Sequence, residues 1–170
     1  EIHARGLTPL ALANGSDPRG AWLRDRPFGA RVGVWFFSHA GNTSGRTIDQ
    51  LEHAVEDGVR ANDYNDPEVI GANSILEARG WYGTDPTAAS HAAQALQVRH
   101  FVFGHQPDAL GPTGAIASAF DGLLFRIDCG MSPDVNYSAG CLLRINHDST
   151  GELVEAVDAT GAAKEIWRGQ

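Results

Sequence analysis

An α/β fold, a mixed sheet with helices on one face followed by a β-meander, is predicted by three features of the sequence. The run RVGVWFFS, Arg31 to Ser38, is short, almost wholly apolar and rich in β-branched and aromatic residues, as a buried strand is. A second such run spans Arg99 to Phe103, and helical spacing fills the interval between the two. From Ala115 onward, short strand-like runs alternate with turn residues. The order of strand, helices, strand and meander suits one mixed sheet covered by helices.

Each element has a local cause. The segment Glu1 to Pro27 is irregular, with dense turn chemistry at Asn14-Gly15-Ser16-Asp17-Pro18. Asp17 is placed to cap a short helix with Pro18 at its first position, running through Trp22 and Leu23 and ending by Pro27. The Arg31–Ser38 strand ends at the small-residue turn His39-Ala40-Gly41-Asn42. Thr47 to Asn62 reads as a helix, with Ile48, Leu51, Val55 and Val59 at three- and four-residue spacing. A second helix is expected over Glu68 to Arg79, interrupted by Trp81-Tyr82-Gly83. Asp85, as N-cap before Pro86, opens another helix through Ala88 to Leu96. The Arg99–Phe103 strand ends at Gly104-His105-Gln106-Pro107. Strands are then expected at Ala115 to Phe120, Leu123 to Asp128, Cys141 to Asn146 and Leu153 to Val157.

The 170 residues read as a single domain, long enough to bury a core without staples. Apolar residues make up 42% and charged residues 20%, a globular balance rather than a disordered one. No run approaches the roughly 18 apolar residues of a membrane helix, so no membrane partner is expected. The net charge is −8, with 21 acids against 13 bases, and no basic cluster marks a nucleic-acid surface. Cys129 and Cys141 read as two buried thiols on neighbouring strands, with one bridge as the alternative. The compartment, cytoplasmic or periplasmic, stays open.

Two histidines occupy matching positions. His39 follows the first buried strand and His105 the second, each where a tight turn takes over. Ligands of open α/β sheets bind just beyond those carboxyl ends. If the strands are sheet neighbours, the imidazoles meet on one edge, and neutral imidazole is a common metal ligand. Asp128 ends the strand LLFRI and either points into the same site or caps a turn. His3, His53, His91, His100 and His147 read as surface or packing residues, His147 in a turn. Glu52, Glu56 and Asp57 read as a solvated helix face. Gly-x-Ser-x-Gly is absent, neither cysteine has a nucleophile's context, and the single lysine, Lys164, forms no phosphate loop.

The segments FVFGHQP, Asp121-Gly122, LLFRIDCGMS and AGCLLRI resemble the C-terminal part of calcineurin-like metallophosphoesterases, most closely the Shewanella-like branch of the phosphoprotein phosphatase superfamily. Upstream, GAWLRDRP and VWFFSHAGN resemble that branch's Trp-Leu-Arg segment and Val-His-Gly-Gly motif, and Trp81-Tyr82 its Trp-Tyr element. The likeness runs from about Gly20 to Ile145. It implies the C-terminal half of an α-β-β-α metallophosphoesterase sandwich. It also implies that His39 and His105 each ligate an ion of a two-metal centre of Mn, Fe or Zn, with Asp128 behind them. The implied activity is hydrolysis of a phosphate monoester by a metal-bound hydroxide, on a phosphorylated protein (Ser/Thr or Tyr) or a small phosphomonoester.

The sequence also departs from that pattern. Ala40 and Asn42 replace a glycine and an apolar residue, Gln106 replaces Thr, and Gly83 stands where the branch carries an Arg able to clamp phosphate. The upstream motifs Asp-x-His, Gly-Asp-x-x-Asp-Arg and Gly-Asn-His-Glu are absent from these residues. Together with a start at Glu1 rather than Met, this leads us to expect part of a longer enzyme, inactive alone. The alternative is a non-catalytic remnant or binding module of the same fold.

Overall fold

The computed structural model describes residues 3–61 and 65–170. Helices α1 (Pro9–Ala13) and α2 (Pro18–Arg24) follow a 3₁₀ turn at His3–Arg5. Asp17 caps α2 as expected, its carboxylate accepting the Arg19 N–H at 2.9 Å. The two helices approach so closely that a Cβ on Gly20 would strike the Leu12 backbone.

The apolar run before His39 is two strands rather than one. β1 (Gly29–Val32) turns back antiparallel onto β2 (Trp35–Ser38), with Val32 opposite Trp35. The reversal needs only Gly33 and Val34, with Gly33 at φ 57°. Glycine at the first central position of a two-residue loop is a hairpin signal, hidden here inside an apolar run.

Helix α3 (Ile48–Arg60) begins in a capping box formed by Thr47 and Gln50. Asn62, the expected end of this helix, lies outside the described residues. The helix expected over Glu68 to Arg79 is reduced to one turn, α4 (Pro67–Ile70). Gly71 adopts extended backbone and stops it. The residues beyond still bury Ile75, Ala78 and Trp81. In α5 (Thr87–Ala95) Pro86 holds the cap position, and Asp85 serves from one residue earlier by accepting the Thr87 N–H at 2.8 Å.

Strands β3 (His100–Phe103), β4 (Ala117–Ala119) and β5 (Leu124–Arg126) complete a five-stranded mixed sheet in the order β1-β2-β3-β5-β4. The central pairs β2–β3 and β3–β5 are parallel and both edges are antiparallel. The expected meander therefore divides, with its first two strands joining this sheet. The remainder, β6 (Cys141–Asp148), β7 (Gly151–Asp158) and β8 (Ala163–Gly169), forms a separate antiparallel sheet. β8 escapes the sequence reading because its only partly buried residues are Ile166, Trp167 and Gly169. His147 sits within β6, not in a turn. Among the described residues no helix is long and apolar enough to cross a membrane.

Strand alternation sorts the core into two layers. Phe36, Phe101, Phe103 and Leu124 pack against Leu51, Ile75, Trp81, Ala89, Ala92 and Leu96 on the helical face. Trp35, Val102 and Phe125 pack against Val154 of β7 on the other. Between the sheets lies a buried polar clasp. The Glu152 carboxylate accepts the Trp35 indole N–H at 3.0 Å and an Arg99 N–H at 3.2 Å, and lies 3.3 Å from His100 Nε2. His100 stacks on Trp35, and its Nδ1 lies 2.6 Å from the Gly122 carbonyl.

The cysteines are not two thiols: Cys129 and Cys141 form a disulfide, with Cα atoms 6.4 Å apart. Cys129 follows β5 of the mixed sheet and Cys141 begins β6 of the other, so the bond crosses between sheets. Spacing alone does not reveal an approach created by packing.

Two expectations follow. Replacing both cysteines with serine should lower stability by about 2–4 kcal/mol in urea unfolding, and reductant should reproduce the loss in the unmodified chain. Burial pushes the Glu152 carboxyl up, but the Trp35 bond and the charges of His100 and Arg99 outweigh this and hold it below the ordinary glutamate range. Its contribution is therefore present above that range and lost as pH falls through the depressed value. Urea midpoints measured from neutral pH into the acid range should drop, and Glu152→Gln should flatten that drop.

Candidate functional site

The parallel pairing of β2 and β3 places Ser38 beside Phe103, so the loops after both strands leave the same sheet edge. His39 is the first residue beyond β2 and His105 the second beyond β3. The Gly104 N–H donates to the His39 carbonyl at 3.0 Å, stitching the two loops together. The rings then meet: His39 Nε2 lies 2.9 Å from His105 Nδ1, with centroids 4.7 Å apart.

The surrounding backbone is shaped to permit this. His105 has φ 65°, a left-handed conformation rare outside glycine that costs about 1–3 kcal/mol. The Gln106 side chain accepts the Gly80 N–H at 2.7 Å and ties the loop to the residues before Trp81. On the other strand, Gly41 lies against the Trp81 indole so closely that any Cβ would overlap the ring. Buried Asn42 closes its own loop through two bonds to the Arg46 backbone, at 2.7 and 3.0 Å. Asn42 and Gln106 thus hold the loops that present the histidines.

The His105 ring is mostly buried, and its Nε2 lies 3.3 Å from the Glu77 carboxylate without a well-aligned hydrogen bond. Burial pushes the imidazole pKa down, helped by Arg79 and His39 and opposed by Glu77 and Asp128. The ring is therefore biased toward the neutral form, which keeps a lone pair for a ligand. Asp128 accepts the Gly130 N–H at 3.0 Å, closing the turn after β5. It also lines, with both histidines, a cavity of about 620 Å³ walled by Phe37, Val102, Met131, Leu143 and the disulfide.

Imidazole suits first-row transition ions, and the 2.9 Å spacing is close enough to share either a proton or an ion. Among the described residues, however, no group of three His, Cys, Asp or Glu side chains converges as a metal site. These residues offer a pair of ligands, not a closed centre.

The other histidines lie elsewhere. His53 and His91 are exposed on helices, His147 is exposed on β6, and His100 belongs to the clasp. Glu77 carries no sequence signal, because it sits in a stretch without periodicity once the expected helix breaks. Arg126, whose buried guanidinium donates to the Asp128 carbonyl at 2.7 Å, does carry a sequence signal, a cation inside LLFRID.

The left-handed backbone at His105 gives a direct test. His105→Gly should be more stable than His105→Ala by about 1 kcal/mol in chemical denaturation, because only glycine adopts that φ freely.

No family model matches this sequence, and no curated protein matches it. Among solved structures, the chain is similar to the cold-active protein-tyrosine phosphatase of a psychrophile, Shewanella sp., with TM-score 0.66 and 16% identity over 87% of this chain. A point mutant of a cold-active protein tyrosine phosphatase gives TM-score 0.62 and 17% identity over the same share. A further cold-active protein tyrosine phosphatase structure gives 0.66 and 16% over 86%. The chain spans about 45% of the length of these structures, and the likeness is one of fold.

Proposed function

We propose that this chain is part of a metal-dependent phosphoesterase, a protein phosphatase or related phosphomonoesterase, and supplies His39 and His105 to a dimetal site. The observation that carries the reading is the meeting of the two imidazoles at the carboxyl ends of neighbouring parallel strands. The fold likeness to phosphatases supports it, as does the neutral bias of His105. The ions would be Mn, Fe or Zn, and when bound would supply an activated nucleophile and neutralise charge on the phosphoryl oxygens.

Within this reading each residue has a limited task. His39 and His105 hold the ions, and Asp128 shapes the edge of the same cavity. The cavity's apolar wall would exclude water from one side of a bound ester. The remaining ligands come from residues outside this stretch, in keeping with the 45% span. The substrate is a phosphorylated protein or a small phosphomonoester.

A second reading is a binding module that keeps the fold without the chemistry. It is favoured by Gly83 in place of an arginine and by the absence of a third converging ligand among the described residues.

Calorimetry should show Zn²⁺ or Co²⁺ binding that the double variant His39→Ala/His105→Ala loses. With excess Mn²⁺ or Zn²⁺ the chain alone should turn over little p-nitrophenyl phosphate. Robust turnover by these residues alone would refute the shared-site assignment. Uptake of metal without turnover, in a longer protein that also carries Asp-x-His and Gly-Asn-His-Glu, would favour the binding module.

A further inference from the structure

Arg126 is the largest fully buried side chain among the described residues. It ends β5 directly opposite Phe103, at the point where the His105 loop leaves β3. All its hydrogen bonds go to backbone carbonyls. Nε donates to Ala109 at 2.9 Å, one terminal nitrogen to Pro107 at 2.6 Å and Asp128 at 2.7 Å, and the other to Pro112 at 2.9 Å. Three of these acceptors lie on the loop that begins at Gly104, and the fourth belongs to Asp128.

That loop has a particular need for such a donor. Pro107 and Pro112 carry no N–H, which removes two donors that could satisfy neighbouring carbonyls. His105 and Leu110 both hold left-handed backbone, at φ 65° and 60°. A strained loop poor in donors persists only when its surroundings fix it. A guanidinium offers five N–H groups in a rigid planar fork, where a lysine offers a compact point charge. Burying that charge is expensive, and four carbonyl dipoles are what offset it.

We propose that Arg126 is a positioning residue: by gathering the carbonyls of Pro107, Ala109, Pro112 and Asp128 it sets the loop that presents His105 to His39. Calling the positioned pair a metal site rests on the phosphatase reading, whereas the loop geometry does not.

The two parts separate by experiment. Amide hydrogen exchange in Arg126→Met should accelerate about tenfold or more at residues 104–109, while α3 and β7 keep the protection of the unmodified chain. Arg126→Lys, which keeps the charge but not the fork, should show the same local loss to a smaller degree, and it decides the matter if Arg126→Met fails to fold. Unchanged protection at 104–109 would overturn the proposal. So would acceleration spread evenly over α3 and β7, the signature of a residue that only holds the fold together. In parallel, Co²⁺ binding by calorimetry should weaken about tenfold in Arg126→Lys. If the unmodified chain takes up no Co²⁺, the phosphatase reading fails and the exchange data still decide the role of Arg126.

Discussion

The parallel pairing of β2 with β3 is the constraint on which the rest of the structure depends. Parallel strands end on the same side, and the register of Ser38 with Phe103 brings their exit loops level. Slipping either strand by one residue would turn every side chain of that strand to the other face. A slip of β2 would take Phe36 out of the helical core and Trp35 away from Val154, and a slip of β3 would do the same to Phe101, Phe103 and Val102. The same shift would break the Gly104–His39 bond and separate the imidazoles. One hydrophobic pattern therefore fixes both the core and the site edge.

Two buried polar groups work around this frame in opposite ways. The Glu152 clasp satisfies a carboxylate with donors from Trp35 and Arg99 and joins the two sheets across their interface. Arg126 satisfies a cation with carbonyls and acts within the mixed sheet and its loops. Each would be costly if left unpaired, and each draws its partners from outside its own strand. They also divide the labour, since the clasp anchors the amino end of the β2–β3 pair and the guanidinium its carboxyl end.

How much of this was legible in the sequence depended on range. Local signals read well: Asp17 before Pro18, the spacing of Ile48, Leu51 and Val55, and the apolar strands that end before His39 and His105. Their neighbourhood could be stated only as a condition on strand order, which the sheet topology then met. Elements failed where tertiary packing replaced periodicity. Gly33 hid a hairpin in an apolar run, Gly71 cut a helix whose residues still bury Ile75 and Ala78, and β8 showed too few apolar residues to register. The disulfide, Glu77 and the carbonyl cage of Arg126 arise from contacts between distant segments. Apart from the cation inside LLFRID, they have no local pattern to read.

The disulfide has a mechanical consequence. It closes residues 129–141 into a covalent ring where the chain passes from the mixed sheet to the antiparallel one. Tension applied between the two ends of the chain would run through the sulfur bond and leave the segment from Gly130 to Gly140 slack. Only reduction would let that hidden length, roughly 40 Å when fully drawn out, bear load. The two sheets are thus coupled in series by a short, stiff link, and the wall of the histidine cavity is part of that link.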